Sequence, residues 1–324
     1  MPASRSQRIA ILGAGGRYRT PAAIARGCQA LGHHARVFDV LGWARRIGPL
    51  AAPVLRRRIE AFAADVVILT VDASALGGDL LETLAHRTTT VFWHFDAQYP
   101  PTPKAAWMAR IAPVVYTTYL PLVTEFRKLG AAEARFLPQG VDPEIDRPAT
   151  EVRAAFRCDV VFIGSGQYPS REPILRAVAG AARLQIRGPG WRGAPKDLPV
   201  AGGRVLGPGF AEAVCGAAIT LGAHALPEQA HLRASASNRM WKVFGCGGFF
   251  LGPWVQDIEH FARGGEHCAW YRTVAEAVEQ VRHYLGRPEE RARLAATARA
   301  HALTHHTYAH RVALLLADRG YTGV

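Results

Sequence analysis

Twice in this chain an apolar run passes directly into a loop of glycines and small residues, and from there into a helical stretch. The first instance is Arg8-Ile9-Ala10-Ile11-Leu12, followed by Gly13-Ala14-Gly15-Gly16 and a helix-patterned segment over 20–31. The second is Asp159-Val160-Val161-Phe162-Ile163, followed by Gly164-Ser165-Gly166-Gln167-Tyr168-Pro169-Ser170-Arg171 and a helical segment over 172–182. A short strand that is apolar at nearly every position is buried on both faces, which is the habit of parallel sheets covered by helices. Glycine gives the chain the freedom to turn at the strand end. Each instance therefore reads as the opening of a Rossmann-like unit. The first loop, G-x-G-G, lacks the third glycine of the dinucleotide fingerprint and is a weak signal alone.

Further strand-like runs lie at 35–40, 66–70, 89–93, 114–117 and 134–137, with helical stretches near 50–62, 79–86 and 120–129. After the second opening come strands at 184–187, 218–221, 249–251 and 267–270, then helices near 274–284, 289–301 and 310–317. This alternation predicts an α/β protein with parallel sheets. The stretch Leu137-Pro138-Gln139-Gly140-Val141-Asp142-Pro143, continuing to Asp146-Arg147-Pro148, is rich in turn formers and reads as a linker. The expected domains are 1–148 and 149–324, each of ordinary size for a single core.

Lysine and arginine total 39 against 26 acidic residues, a net charge of +13. Such a balance points to an anionic partner: nucleotide phosphates, anionic lipid or nucleic acid, with nucleic acid the least favoured. The five cysteines are scattered and form no C-x-x-C pair, so neither a disulfide framework nor a zinc site is expected. No apolar run is long enough to span a bilayer, and residues 1–7 lead into the first strand without the apolar core of a signal peptide. A cytoplasmic protein is expected, peripheral at the inner membrane face if its basic residues meet lipid.

Three stretches carry candidate chemistry. Ser237-Asn238-Arg239-Met240-Trp241-Lys242-Val243-Phe244-Gly245-Cys246-Gly247-Gly248 reads as a capped helix followed by a glycine break. Helix N-terminal amides with Arg239 and Lys242 suit a phosphate, and Gly247 and Gly248 would allow close backbone approach. An ordinary helix-turn-strand joint is the plainer alternative. In Phe92-Trp93-His94-Phe95-Asp96, His94 and Asp96 fall at a strand's C-terminal end, where open α/β sheets place ligands. Either is a candidate base for an acceptor hydroxyl, or the two are a structural pair. Finally, Trp43, Arg45, Arg46, Arg56, Arg57 and Arg58 put aromatic and cationic groups around one expected helix. They suit a membrane surface or an acidic acceptor, with a solvated basic face as the plainer reading.

Several of these stretches, taken in order, resemble one family. Leu137-Pro138-Gln139-Gly140-Val141-Asp142 is similar to the P-N-G-V-D linker motif of many GT-B glycosyltransferases. Residues 159–165 with Arg171 resemble the opening of the second domain in CgeB-like (spore maturation protein-like) glycosyltransferases. The segment from Arg239 to Gly248 resembles that group's R-x-F-E-x-x-A-C-G-G. Phe261-Ala262-Arg263-Gly264-Gly265-Glu266, Tyr284-Leu285-Gly286-Arg287-Pro288-Glu289-Glu290-Arg291 and His306-Thr307-Tyr308-Ala309-His310-Arg311 fit as well. The resemblance implies a GT-B fold, two Rossmann-like domains facing a cleft, with the last helix packing back on the first domain. It also implies a nucleoside-diphosphate sugar of UDP or GDP type as co-substrate, with no bound cofactor. Donor residues would be Gly164, Ser165, Arg171, Asn238, Arg239, Lys242, Gly247, Gly248 and Glu266; Gly13, Gly15 and Gly16 would form a loop on the acceptor side. Metal independence is implied too, and the sequence holds no D-x-D triplet.

The chain departs from the glutamate pair, spaced E-x7-E, of many retaining GT-B enzymes. Ala234 and Lys242 occupy those two positions. A protonated lysine accepts no hydrogen bond from a ribose, so that contact is expected elsewhere, with Glu266 the candidate. Two other readings remain: a non-catalytic nucleotide- or sugar-binding protein, suggested by Lys242, and a dinucleotide-dependent oxidoreductase with Asp39 on the ribose.

Overall fold

The computed structural model describes residues 6–96, 99–224 and 233–322. It divides into two compact units, one of residues 1–138 and 308–323 and one of residues 139–307. Each contains a six-stranded sheet whose pairings are all parallel.

In the first unit the strands are β1 (Arg8–Gly13), β2 (His34–Asp39), β3 (Val66–Leu69), β4 (Thr89–His94), β5 (Val114–Thr117) and β6 (Glu133–Phe136). They lie in the order β2-β1-β3-β4-β5-β6. Ile9, Ala10, Ile11 and Leu12 are completely buried, as a strand covered on both faces requires. Helix α1 (Thr20–Ala30) carries Ile24, Gly27 and Cys28 inward and ends at Gly32, whose φ of 82° suits glycine. The chain's last helix, Tyr308–Leu316, belongs to this unit. It adds Val312 and Leu315 to the core formed by Ile9, Ile11, Ile24 and Trp93. Gly27 makes that packing possible, because a Cβ there would stand 2.8 Å from the Tyr308 carbonyl carbon. Arg311 is buried in the same place, its Nε donating to the Pro138 carbonyl at 3.1 Å.

One expectation of this half needs correcting. Trp43, Arg45, Arg46 and the Arg56–Arg58 triplet do not share a helix. Asp39 caps α2 (Val40–Ile47) by accepting from the Gly42 amide, and α2 stops at Gly48, where φ is 55°. A short turn, Gly48–Leu50, leads into α3 (Ala51–Phe62).

The second unit holds β7 (Cys158–Ile163), β8 (Leu184–Arg187), β9 (Val200–Gly202), β10 (Ala217–Leu221), β11 (Phe250–Pro253) and β12 (Ala269–Tyr271). Their spatial order is β12-β11-β10-β7-β8-β9. Counted within the unit this is the doubly wound order 3-2-1-4-5-6, which reverses between β7 and β10. After α4 (Gly78–Arg87), α5 (Pro103–Ile111) and α6 (Leu120–Lys128) of the first unit, the helices here include α7 (Glu172–Ala179), α8 (Pro208–Cys215) and α9 (Asn238–Gly245). Much of the turn-rich stretch after Pro138 is packed into this unit. Val141 donates to the His306 carbonyl at 2.8 Å and pairs with Thr307 in a parallel bridge. Gln139, Asp142 and Asp146 are all buried.

Candidate functional site

In open α/β sheets ligands bind beyond the strands' C-terminal ends, where the strand order reverses. In the second unit that point lies between the loops after β7 and β10. The first loop is Gly164-Ser165-Gly166 and the second is Gly222-Ala223-His224. Trp191 holds the first loop by donating from its indole to the Gly164 carbonyl at 2.8 Å.

Two arginines reach this loop. Arg171 is buried and donates from Nη1 to the Ser165 carbonyl at 2.7 Å. Arg239, in the first turn of α9, donates from Nε to the Ile163 carbonyl. Both guanidiniums lie over the Phe162 ring, with Arg239 at 4.6 Å from its centroid and Arg171 at 5.5 Å. The aromatic face offsets part of the cost of holding two like charges close together. Ser237 caps α9, its hydroxyl accepting from the Met240 amide at 3.3 Å.

His224 registers the resulting positive field. Burial first, then the charges of Arg239 and Arg171, pull its pKa from 6.5 down to about 4. Among the described residues its Nε2 and the Asn238 Oδ1 are buried without a hydrogen-bond partner. Buried polar atoms of that kind call for an explanation, and a polar ligand is one. Guanidiniums, an orphaned ring nitrogen and a helix N-terminus together suit an oxyanion.

The structure thus brings Gly164, Ser165, Arg171 and Arg239 together, with Asn238 on the same helix turn. It sends other expected residues elsewhere. Lys242 is committed to Asp146, with Nζ 3.3 Å from Oδ1 and 5.7 Å from the Phe210 ring centroid. Three residues on a helix turn through about 300°, which leaves the two side chains about 60° apart on one face, and their partners separate them: Arg239 reaches the Ile163 carbonyl and Lys242 the 139–148 segment. Gly247 and Gly248 follow the C-terminal end of α9. A Cβ on Gly248 would stand 2.2 Å from the Val214 side chain, so its smallness serves packing. Glu266 interacts with Arg263 and His267. It lines a separate cavity of about 640 Å³ with Trp254, Asp257 and His301, which none of Gly164, Arg171 and Arg239 lines. Ala234, at the first position of the glutamate pair, is fully buried with φ at 55°.

In the first unit the strand order reverses between β1 and β3. The Gly13-Ala14-Gly15-Gly16 loop lies there, but two of its amides are taken by the protein's own carboxylates. Ala14 donates to Asp72 Oδ2 at 3.1 Å and Gly15 to Asp39 Oδ1 at 2.8 Å. Asp39 also accepts from Gly42 at 2.9 Å. A loop filled this way is a poor pyrophosphate cradle, and Asp39 is occupied by backbone amides. The oxidoreductase reading loses its support here.

His94 and Asp96 part company. His94 is 1% exposed, with its ring edge-on to Phe92 and Phe126 at 5.8 and 5.1 Å. Burial lowers its pKa to about 4, so the neutral ring is a core residue and a weak base. Asp96 reaches solvent, yet surrounding protein and the nearby Asp72 carboxylate raise its pKa. A carboxylate raised this way is the better proton acceptor. Residues 97–98 of the same stretch lie outside the described residues.

Reading the sequence missed His224 and Asp72. Each lies three residues past the end of an apolar strand, in Leu221-Gly222-Ala223-His224 and Leu69-Thr70-Val71-Asp72, and that position was the available signal. Among the described residues no group of three or more His, Cys, Asp or Glu is placed to hold a metal ion. No described helix is long and apolar enough to cross a membrane.

The fold is that of GT-B glycosyltransferases. Sucrose-phosphate synthase from Thermosynechococcus elongatus matches with a TM-score of 0.66 at 12% identity, over 96% of this chain and 98% of that one. Anabaena HepE, solved in complex with UDP and glucose, matches with a TM-score of 0.65 at 13% identity, over 96% of this chain and 100% of that one. A glycosyltransferase from Rickettsia africae matches with a TM-score of 0.63 at 10% identity, over 97% and 98%. A family model described as glycosyl transferase-like matches residues 171–317. No curated protein matches the sequence.

Proposed function

We propose that this protein is a glycosyltransferase that moves a sugar from a nucleoside-diphosphate sugar to an acceptor hydroxyl. The observation that carries this reading is the convergence of Arg171 and Arg239 on the end of β7 and its loop, at the reversal of strand order, with His224 on the neighbouring loop after β10 feeling both charges. The glycosyl transferase-like match begins at Arg171 and includes His224 and Arg239, while the loop after β7 lies just before it. Anabaena HepE, with the same fold, is described in complex with UDP-glucose, which favours a UDP-type donor over a GDP-type one. The resemblance to CgeB-like enzymes rests on the sequence motifs and refines the same reading.

When the bond from the sugar to the diphosphate breaks, negative charge grows on the leaving phosphate. Arg171 and Arg239 are positioned by backbone carbonyls to meet that charge without reorganising. Guanidiniums in this role can meet the diphosphate charge without a divalent ion, and chelator should then leave turnover unchanged. In the first unit Asp96, with its raised pKa, is the candidate to take the acceptor's proton. The non-catalytic alternative drew on Lys242, and the Asp146 partner gives that lysine a structural role instead.

The test is thermal melting with uridine, guanosine, thymidine and adenosine diphosphates, followed by transfer assays with the matching sugar nucleotides. A ligand at a hundred times its dissociation constant raises stability by about 2.7 kcal/mol. A UDP-specific shift with sugar transfer is the expected result. A shift with no transfer to any of a panel of hydroxyl acceptors would favour the binding protein, and no shift would remove the donor site.

A further inference from the structure

Residues 40–62, which span α2, the Gly48–Leu50 turn and α3, contain five arginines and a single acidic residue, Glu60. Glu60 lies 3.9 Å from Arg56. Among the described residues Arg45, Arg46, Arg57 and Arg58 form no ion pair, and all four are exposed. Trp43 is not the aromatic anchor its sequence position suggested. It packs against the core of the first unit, with the Arg58 guanidinium 5.1 Å from its ring centroid. The exposed apolar group is Leu50, in the turn between the two helices. At 65% exposure it is the most exposed large hydrophobic residue among those described. Pro49 and Pro53, also exposed, flank it.

We propose that this helical corner is a docking surface for an anionic lipid bilayer, with Leu50 entering the headgroup region and Arg45, Arg46, Arg57 and Arg58 meeting lipid phosphates. Charge complementarity selects this occupant. Arginines near an anionic membrane each add to the attraction, and one apolar side chain in the turn between the two helices adds burial in the interface. Either contribution alone is weak, and the proposal rests on their occurring together in one short segment. The surface is independent of the proposed transfer reaction and stands or falls whatever the donor.

The test is co-sedimentation of the full chain with phosphatidylcholine vesicles, with and without phosphatidylglycerol, at low and high salt. Binding only to the anionic vesicles, weakened by salt, is expected. Replacing the four exposed arginines by serine should lower partitioning on the order of a hundredfold or more. Leu50→Ser keeps the charge and should lower it about tenfold. Both changes are at exposed positions, and melting curves of the free variants report whether they fold. Equal partitioning of all three proteins would overturn the proposal. So would unchanged binding by Leu50→Ser with full competition by a soluble polyanion, which would assign the patch to an acidic acceptor.

Discussion

Lys242 Nζ stands 3.3 Å from Asp146 Oδ1, joining the helix that carries Arg239 to the buried turn after the chain's crossing at residue 138. Asp146 is 3% exposed, and its second oxygen accepts from the Asp142 amide at 3.0 Å. Burial raises its pKa and the lysine opposes that rise. Lys242→Met leaves a buried carboxylate without its cation and should cost about 2–4 kcal/mol at neutral pH. An acid whose folded pKa is raised contributes stability when protonated and loses it as pH rises. The deficit of the variant should therefore shrink as pH falls toward the carboxylate range. Denaturant melts at several pH values measure it, and a deficit independent of pH would separate Lys242 from Asp146.

Arg239 gives the complementary result on binding. Arg239→Ala should weaken UDP by about 1.5–3 kcal/mol, the range for a lost charge-assisted bond, and uridine much less. Calorimetric titration of both ligands checks this. Because Arg239 also holds the Ile163 carbonyl, the informative quantity is the ratio of the two losses. Equal losses would mean that Arg239 supports the loop without touching phosphate.

His94 predicts an acid limb in stability. Its folded pKa is about 4 against an ordinary value of 6.5, so unfolding takes up a proton between these values. The contribution is fully present above 6.5 and is lost as pH falls through 4, a loss of about 3 kcal/mol. His94→Phe should flatten that limb. The same variant should retain most of its turnover, whereas Asp96→Asn should lose turnover with donor affinity unchanged. Loss of activity in a folded His94 variant alone would reverse the two roles.

Gly27 tests the packing of the last helix. A methyl group there meets the backbone of Tyr308 at 2.8 Å, and backbone cannot swing aside as a side chain does. Gly27→Ala should destabilise by about 1–3 kcal/mol, read from the denaturant midpoint. An unchanged midpoint would show that the helix shifts freely.

The α/β class, every strand except the three-residue β9 and most helices were legible because apolar runs and helical periodicity are local properties. Helix α2 was not. It is only eight residues long, starts directly at a strand end and depends on Asp39 for its cap. The candidate site was legible where a residue immediately follows a strand, as with Gly164 and Ser165, since strand ends mark the ligand edge of a parallel sheet whatever the partner.

By itself the sequence determined which side chains exist and which lie near strand ends. It could not determine which of two cations three residues apart would turn to the end of β7 and which to the buried turn at Asp146. That depended on Asp146, a carboxylate 96 positions away that claims Lys242, and on the Ile163 carbonyl and Phe162 ring that claim Arg239. Likewise the glycine loop after β1 looked open to a ligand until the fold brought Asp39 and Asp72 onto its amides. Charges and backbone donors are satisfied by whatever the tertiary structure places within hydrogen-bond reach, and only the folded chain decides whether a ligand or the protein itself fills that place.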